Sequence, residues 1–263
     1  MFYIIIFIVG IVLMYIYNNL EKLLFHGISC DSYTSDNIMS VDNTHYAMTH
    51  LNQSKKCLII SKGNAGNLDT WKSVVKKVDD YFNKTYDIFV YEYPGYGCLK
   101  GKTSLTKCCR ELRWWISHLN EKYDCIDLYG VSLGGGIQAE TLAKYSQFDP
   151  DTYKLIRPKV QNMYLESTFA SITTIASDIN KILGYVARIR PTLNTIKNIE
   201  IIYQRYPGIK VCVLHSKNDE IIKHKHAELL CKAYPQIKYV EIYGNHSGTY
   251  FKTSYADILS GSE

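Results

Sequence analysis

Strand-like and helix-like runs alternate along most of this 263-residue chain. Short apolar runs rich in β-branched and aromatic residues predict strands at 44–50, 57–61, 87–92, 125–131, 160–165, 210–215 and 238–243. Apolar residues recur at helical spacing between most of them, at 68–81, 104–122 and 221–233. Because parallel strands need helical crossovers, this alternation predicts a mostly parallel central sheet with helices on both faces. One α/β domain is therefore expected over residues 28–263.

Two of the helical stretches carry further expectations. In the stretch at 104–122, the apolar stripe assigns Trp115 to the core and leaves Trp114 outside it. The longest stretch without a strand signal, 168–206, has apolar residues at roughly helical spacing, followed by Pro191. This stretch is expected to form packed helices, a small helical lid over the functional site, or both.

A glycine-flanked serine lies at the end of the strand predicted at 125–131, in the pentapeptide Gly130-Val131-Ser132-Leu133-Gly134. The residues from 133 to 145 resemble a helix, so Ser132 falls on a sharp strand-to-helix turn. A side chain two positions before or after the serine would collide with such a turn, which explains both glycines. The pattern predicts a nucleophilic serine, although a glycine-rich turn whose serine only caps the helix would look the same.

A nucleophilic serine needs a base and a carboxylate that orients the base. Asp219 lies in the loop after the strand predicted at 210–215, and His246 follows the last predicted strand. The chain order Ser132, Asp219, His246 is the order expected of an α/β-hydrolase triad. We therefore expect these three residues to meet at the carboxyl ends of the strands.

The reaction also needs hydrogen-bond donors for a developing oxyanion. The small, glycine-bearing loop after the strand at 57–61 leaves backbone N–H groups free. The expected donors are the amides of Asn64 and Leu133, with Ala65 as the alternative to Asn64.

Other polar residues compete for the roles of acid and base. Glu220 adjoins Asp219 and is the alternative carboxylate. His215 ends a predicted strand and is expected to support the loop that holds Asp219. His224 and His226 follow in a predicted helix and are expected to lie at the surface.

Charge and cysteine content exclude several classes of function. The net charge is only +5, and no array of basic and aromatic residues indicates nucleic-acid binding. Most of the eight cysteines lie inside predicted strands or helices, and none forms a Cys-x-x-Cys pair. This placement disfavours metal and redox sites as well as a disulfide framework. Reduced cysteines fit a cytosolic domain.

An almost continuous apolar run occupies residues 2–17. It is slightly short for a bilayer about 30 Å thick, but the amphipathic residues up to Phe25 extend it. A signal peptide would have a basic start and a small-residue cleavage site, which this run lacks. A buried core helix is seldom apolar on every side over so many residues. Residues 1–25 are therefore predicted to form a transmembrane anchor, with the lipid bilayer as a partner.

The orientation of this anchor has a weaker signal. Lys22 is the only basic residue flanking the run, and it favours a cytosolic catalytic domain. Three Asn-x-Ser/Thr sequons, at Asn52, Asn83 and Asn245, are close to the number expected by chance. A glycan at Asn245 would obstruct the adjacent His246, which also favours the cytosol.

These motifs together resemble the α/β-hydrolase fold. Within that fold they are similar to the membrane-anchored α/β-hydrolase-domain group, which includes protein depalmitoylases and lysophospholipases. The motifs that carry the resemblance are the oxyanion-type loop at 62–67, the Tyr-x-Gly-Tyr-Gly turn at 93–97, the serine elbow at 130–134, the segment at 166–169, the acid motif at 218–222 and the terminal Gly-x-His at 244–246. An N-terminal anchor is common in this group.

The resemblance implies a serine hydrolase that cleaves carboxylic esters or thioesters of lipids or acylated proteins, without a metal or organic cofactor. Lys62 departs from the pattern, because the group usually has histidine there. It is expected to be an exposed lysine, or else to attract an anionic headgroup. A serine peptidase of the same fold and a non-catalytic binding protein on a hydrolase scaffold remain alternatives.

Overall fold

The computed structural model describes residue 15 and residues 24–148, 159–189 and 193–252. Within these residues the strands are β1 His26–Gly27, β2 Ile38–Val41, β3 His45–His50, β4 Lys56–Ser61, β5 Ala65–Gly66, β6 Asp87–Tyr91, β7 Cys125–Val131, β8 Val160–Glu166, β9 Lys210–Ser216 and β10 Lys238–Ile242. The α-helices are α1 Lys72–Tyr81, α2 Leu105–Asn120, α3 Leu133–Phe148, α4 Ile172–Ile179, α5 Lys181–Ile189, α6 Thr195–Arg205 and α7 Lys225–Ala233, with a 3-10 helix at Leu68–Trp71.

Eight of the strands form one sheet in the order β10-β9-β8-β7-β4-β6-β3-β2. Every pairing from β10 to β6 is parallel, and β3 and β2 complete one edge as antiparallel strands. The predicted α/β class with a mostly parallel sheet is thus confirmed. Because β4, β7, β8, β9 and β10 run in the same direction, the loops after them meet at one edge of the sheet.

Apolar side chains cover both faces of this sheet, as predicted. On one face, Leu128 of β7 belongs to a core that includes Leu112 and the fully buried Trp115 of α2. On the other face, Tyr129 packs in a second core with Val78 of α1. Adjacent residues of β7 therefore serve opposite cores, as the two-residue period of a strand requires.

Strand β2 is a difference from the sequence prediction. It is a four-residue, half-buried edge strand, too short to show a clear alternation of apolar and polar residues. It pairs with β3, to which it is connected by a turn in which Asp42 and Asn43 have φ of 51° and 53°. Aspartate and asparagine tolerate this left-handed conformation, so these two residues are the signal that identifies the hairpin.

The N-terminal part of the chain is described from Leu24 onward, apart from Tyr15. The membrane anchor predicted at residues 1–25 therefore lies almost entirely outside the described residues. No helix in the described part of the chain is both long and apolar enough to cross a membrane. Strand β1 pairs with β5 in a separate two-stranded sheet, and the His26 amide donates a 2.8 Å hydrogen bond to the Asn64 carbonyl oxygen.

Candidate active site

Ser132 lies between the last residue of β7 and the first residue of α3. Its φ is 52°, in the left-handed region that residues other than glycine seldom adopt. Its amide donates a 2.8 Å hydrogen bond to the Glu166 carbonyl oxygen at the end of β8, which helps to hold this strained backbone. The sharp turn predicted from the pentapeptide is present.

The glycines that flank Ser132 lie where the backbone leaves no room for a side chain. A methyl group added at Gly134 would lie 2.0 Å from the backbone oxygen of Ser61, and one at Gly130 would lie 2.4 Å from the Cα atom of Gly135. The first turn of α3 can therefore lie this close to β4 and β7 only with glycine at these positions. This contact brings the loop after β4 beside Ser132.

Replacing Gly134 with alanine is expected to destabilise the fold by about 1–3 kcal/mol, the usual cost of overpacking. Alanine normally stabilises a helix relative to glycine, so the sign is diagnostic of the backbone clash. Gly208→Ala is the matched control, because a methyl group there meets nothing within 4 Å. Urea unfolding should separate the two variants, and equal midpoints would contradict the predicted clash.

His246 connects Ser132 to Asp219. Its Nε2 lies 3.1 Å from the Ser132 Oγ, and its Nδ1 lies 2.8 Å from the nearer Asp219 oxygen. When Nδ1–H donates to the carboxylate, Nε2 is left as an acceptor for the serine hydroxyl. A hydroxyl bonded to imidazole, which is itself bonded to a buried carboxylate, is an arrangement that activates a serine for nucleophilic attack.

The Asp219 carboxylate is buried, yet it is well supplied with hydrogen-bond donors. The amides of Ile221 and Ile222 donate to its Oδ1 at 3.1 and 2.8 Å. Burial by itself raises the pKa of Asp219, but the hydrogen bond and charge of His246 and the Ile222 amide outweigh it, so the pKa lies below its usual range. The predicted helix at 221–233 begins only at Lys225, since these two amides cap the carboxylate instead.

The competing polar residues occupy other positions. Glu220 Oε2 accepts a 3.0 Å hydrogen bond from the His246 backbone amide, so Glu220 contacts the histidine loop rather than the imidazole. His215 is fully buried with Nε2 2.7 Å from the Ile222 carbonyl, where it supports the Asp219 loop. His224 is partly exposed.

The predicted surface position of His226 is wrong. Its side chain is buried, its Nδ1 accepts a 3.2 Å hydrogen bond from the Ala170 amide, and its Nε2 lies 3.2 Å from Asp178 of α4. Lys225 also forms an ion pair with Asp178. These contacts join α7 to α4 and to the residues just before it.

The loop at 62–67 lies beside Ser132. A methyl group added at Gly63 would lie 4.0 Å from the Ser132 Cβ. Asn64 is the next residue in the chain, so its amide nitrogen is bonded directly to this residue beside the serine. Leu133 is the first residue of α3, and its amide therefore has no acceptor within the helix. Both predicted oxyanion donors thus belong to segments that contact the elbow.

Two tyrosine hydroxyls form hydrogen bonds with the backbone of this loop. Tyr93 donates a 2.5 Å hydrogen bond to the Lys62 carbonyl oxygen, and Tyr96 donates a 2.7 Å bond to the Asn64 carbonyl oxygen. Both tyrosines belong to the Tyr-x-Gly-Tyr-Gly turn. The turn therefore orients the Lys62–Gly63 and Asn64–Ala65 peptide groups.

Both expectations for Lys62 are wrong, because its side chain is completely buried. The ammonium forms an ion pair with the equally buried Glu92 and lies 5.1 Å from the ring centroids of Tyr93 and Tyr96. Burial lowers the pKa of Lys62, while the Glu92 carboxylate opposes that change. Glu92 also accepts a 3.1 Å hydrogen bond from the Leu68 amide, so the pair ties both ends of the loop together.

Glu166 supports the histidine loop, a role that the sequence did not reveal. Its buried carboxylate accepts 2.6 Å hydrogen bonds from Lys77 of α1 and from the Tyr129 hydroxyl. It also accepts a hydrogen bond from Thr249, three residues beyond His246. The end of β8 thus supports Ser132 through its backbone and the histidine loop through its side chain.

Glu166 should make the fold less stable in acid. Burial raises its pKa, but the Lys77 charge and the hydrogen bonds from Lys77, Thr249 and Tyr129 together hold the pKa below its usual range. A lowered folded-state pKa gives stability that is complete above the unfolded value near pH ~4.3 and is lost as the pH falls further. Urea unfolding should therefore show wild type losing its advantage over Glu166→Gln below about pH 4. A constant difference down to pH 3 would contradict this role.

Residues 32–204 match the family described as Chlamydia CHLPS protein (DUF818), over well more than half of the chain. The chain belongs to the DUF818 family. A relative of this DUF818 protein, the uncharacterized protein YfhR of Escherichia coli O157:H7, is 27% identical over 177 residues, which cover 66% of this chain and 56% of the relative. The match therefore spans less than two thirds of that relative's length.

Solved structures share the fold of this DUF818 protein. An α/β hydrolase from Vibrio vulnificus has a TM-score of 0.61 at 16% identity, over 86% of this chain and 80% of its own. The Pyrococcus furiosus esterase Pf2001 has a TM-score of 0.58 at 11% identity, over 85% and 90%. These similarities establish the α/β-hydrolase fold.

Proposed function

We propose that this protein is a serine hydrolase that cleaves carboxylic esters or thioesters. The observation that carries the proposal is the chain of hydrogen bonds from Ser132 through His246 to Asp219. It joins three segments 114 and 27 residues apart, at the edge of the sheet where the parallel strands end. The fold and the strained backbone at Ser132 support the same conclusion.

In the proposed reaction, His246 Nε2 takes the hydroxyl proton as the Ser132 Oγ attacks the acyl carbonyl carbon. The amides of Leu133 and Asn64 stabilise the tetrahedral oxyanion. His246 then protonates the leaving alcohol or thiol, which leaves an acyl-enzyme, and water hydrolyses this ester by the same steps. Asp219 keeps Nδ1 protonated and stabilises the imidazolium.

The proposed substrates are lipids or acylated proteins at a membrane. The apolar run at residues 2–17 supports a tether in the bilayer, as in the membrane-anchored depalmitoylase and lysophospholipase group. Free cysteines and the single flanking Lys22 support a catalytic domain in the cytosol. Three apolar side chains on α4 and α5 are more than 60% exposed: Ile179, Ile182 and Tyr185. This exposure supports an apolar lid formed by residues 168–206.

A fluorophosphonate probe tests the nucleophile directly, because it forms a covalent bond only with an activated serine. Wild type should be labelled on the tryptic peptide that contains Ser132, and Ser132→Ala should not be labelled. Ser73 lies exposed on α1, so Ser73→Ala is a suitable control that should still be labelled. Equal labelling of wild type and Ser132→Ala would overturn the proposal.

Matched substrates then separate the classes of reaction. Acyl thioesters, lysophospholipids, short esters and peptides should be compared at equal concentration in detergent micelles. Turnover of a long-chain ester or thioester but not of peptides is the expected result. Cleavage of peptides alone would identify a peptidase instead, and labelling without any turnover would indicate a binding protein.

A further inference from the structure

Cys30 and Cys98 lie side by side although they are 68 positions apart in the chain. Their sulfur atoms are 3.5 Å from each other. A disulfide bond is about 2.05 Å long, so the sulfurs need to approach by only about 1.5 Å. Both side chains are partly exposed.

The backbones around the two cysteines are already aligned. Ser29 and Gly97 form a parallel bridge, and the Cys30 amide donates a 3.0 Å hydrogen bond to the Gly97 carbonyl oxygen. Cys30 and Cys98 are each the next residue after this bridge. Adjacent strands lie about 4.8 Å apart, which falls within the range of Cα separations that a disulfide spans.

We propose that Cys30 and Cys98 form a reversible disulfide when the protein meets a disulfide oxidant such as oxidised glutathione. One cysteine thiolate attacks the oxidant and releases one glutathione thiolate, which leaves a mixed disulfide. The second cysteine thiolate then attacks the protein sulfur of this mixed disulfide and releases the other glutathione as a thiolate. Two protein thiols lose two electrons and two protons, and one oxidised glutathione becomes two reduced molecules.

The bond would fasten the segment that follows the N-terminal apolar run to the turn at 93–97. Both sides of this pair reach the Asn64 carbonyl oxygen, one through the His26 amide and the other through the Tyr96 hydroxyl. The disulfide therefore stabilises the loop that lies beside Ser132. In a reducing compartment the pair remains as thiols, and an oxidant closes it.

The pKa of Cys30 decides the pH at which the disulfide should be tested. Burial and the Cys98 thiol raise the pKa of Cys30 to about 11, so Cys30 is protonated at neutral pH and exchange is slow. The test is therefore run at pH 8.5. Cys231 is also partly exposed, and Cys231→Ser is the matched control variant.

The full 263-residue chain should be equilibrated with oxidised glutathione, alkylated and digested with trypsin. Residues 23–55 and 85–100 are the tryptic peptides that contain Cys30 and Cys98, and each has one cysteine. A disulfide-linked pair of these peptides that dithiothreitol separates is the expected result. Wild type and Cys231→Ser should also gain about 5 °C or more in Tm on oxidation, while Cys30→Ser should not.

Two results would overturn the proposal. One is that Cys30 and Cys98 are both recovered in alkylated form, which means that they stayed reduced, or that each carries one glutathione. The other is that either residue is linked to a different cysteine or to a second chain. The peptide map of wild type, together with non-reducing gel electrophoresis to detect a link between two chains, decides between these outcomes even if Cys30→Ser does not fold. Neither readout depends on hydrolase activity.

Discussion

Replacing His246 with alanine should lower kcat/KM for an activated acyl ester by about 10⁴-fold or more, while the fold remains intact. His246 Nε2 is within hydrogen-bond distance of the Ser132 hydroxyl. Without the imidazole, no group accepts the proton as the serine attacks. The measurement is hydrolysis of a p-nitrophenyl ester by purified variants, with circular dichroism to confirm folding.

The neighbouring carboxylates provide a matched pair for the same assay. Asp219→Asn should lower kcat by about 10⁴-fold, since an amide stabilises the wrong tautomer of His246 and cannot stabilise an imidazolium. Glu220→Gln should cost less than about tenfold, because Glu220 contacts only the backbone amide of His246. A larger loss in Glu220→Gln than in Asp219→Asn would transfer the role of acid to Glu220.

Replacing Lys62 with methionine should destabilise the protein by about 3–5 kcal/mol, the usual cost of leaving one partner of a buried ion pair without the other. Methionine preserves most of the side-chain volume, so the loss reports the uncompensated Glu92 charge rather than a cavity. In a domain of this size, the change corresponds to a fall in Tm of roughly 6–20 °C. Differential scanning calorimetry with a urea titration would measure it.

A second substitution distinguishes charge from packing at this site. In Lys62→Met/Glu92→Gln the amide oxygen can still accept from Leu68, and no unpaired charge remains, so most of the lost stability should return. Lys76→Met is the control, since Lys76 pairs with Asp80 on an exposed face of α1 and should change Tm little. Equal Tm values for wild type and Lys62→Met would refute the buried pair.

Local sequence patterns were sufficient for most of the fold. The seven predicted strands are present within one or two residues, because each is a run whose apolar residues face one or both cores. The edge strand β2 is too short and too exposed for that signal. The turn around Ser132 was also predictable, since the steric demands of the elbow act within five residues.

The supporting residues could not be predicted, because their partners are distant in the chain. Lys62 meets Glu92 30 positions away, and Glu166 meets Lys77 across 89 positions. The pattern of its own helix predicts a surface position for His226, whereas the fold places Asp178, 48 positions earlier, against it. Nothing in the local composition around a lysine or a histidine reveals such pairing. The three-dimensional sheet order is needed to find it.

The bond between His26 and Asn64 limits how far the site can be from the N-terminal apolar run. Fewer than ten residues separate residue 17 from His26, and a chain of that length extends at most about 30 Å. If residues 2–17 form the proposed membrane tether, His26 and the loop bonded to it stay within about 30 Å of the bilayer surface. An acyl group on the same surface is met at a high effective concentration, whereas one in solution is not. With such a tether, the density of substrate in the membrane would set the rate of turnover more than its affinity in bulk solution.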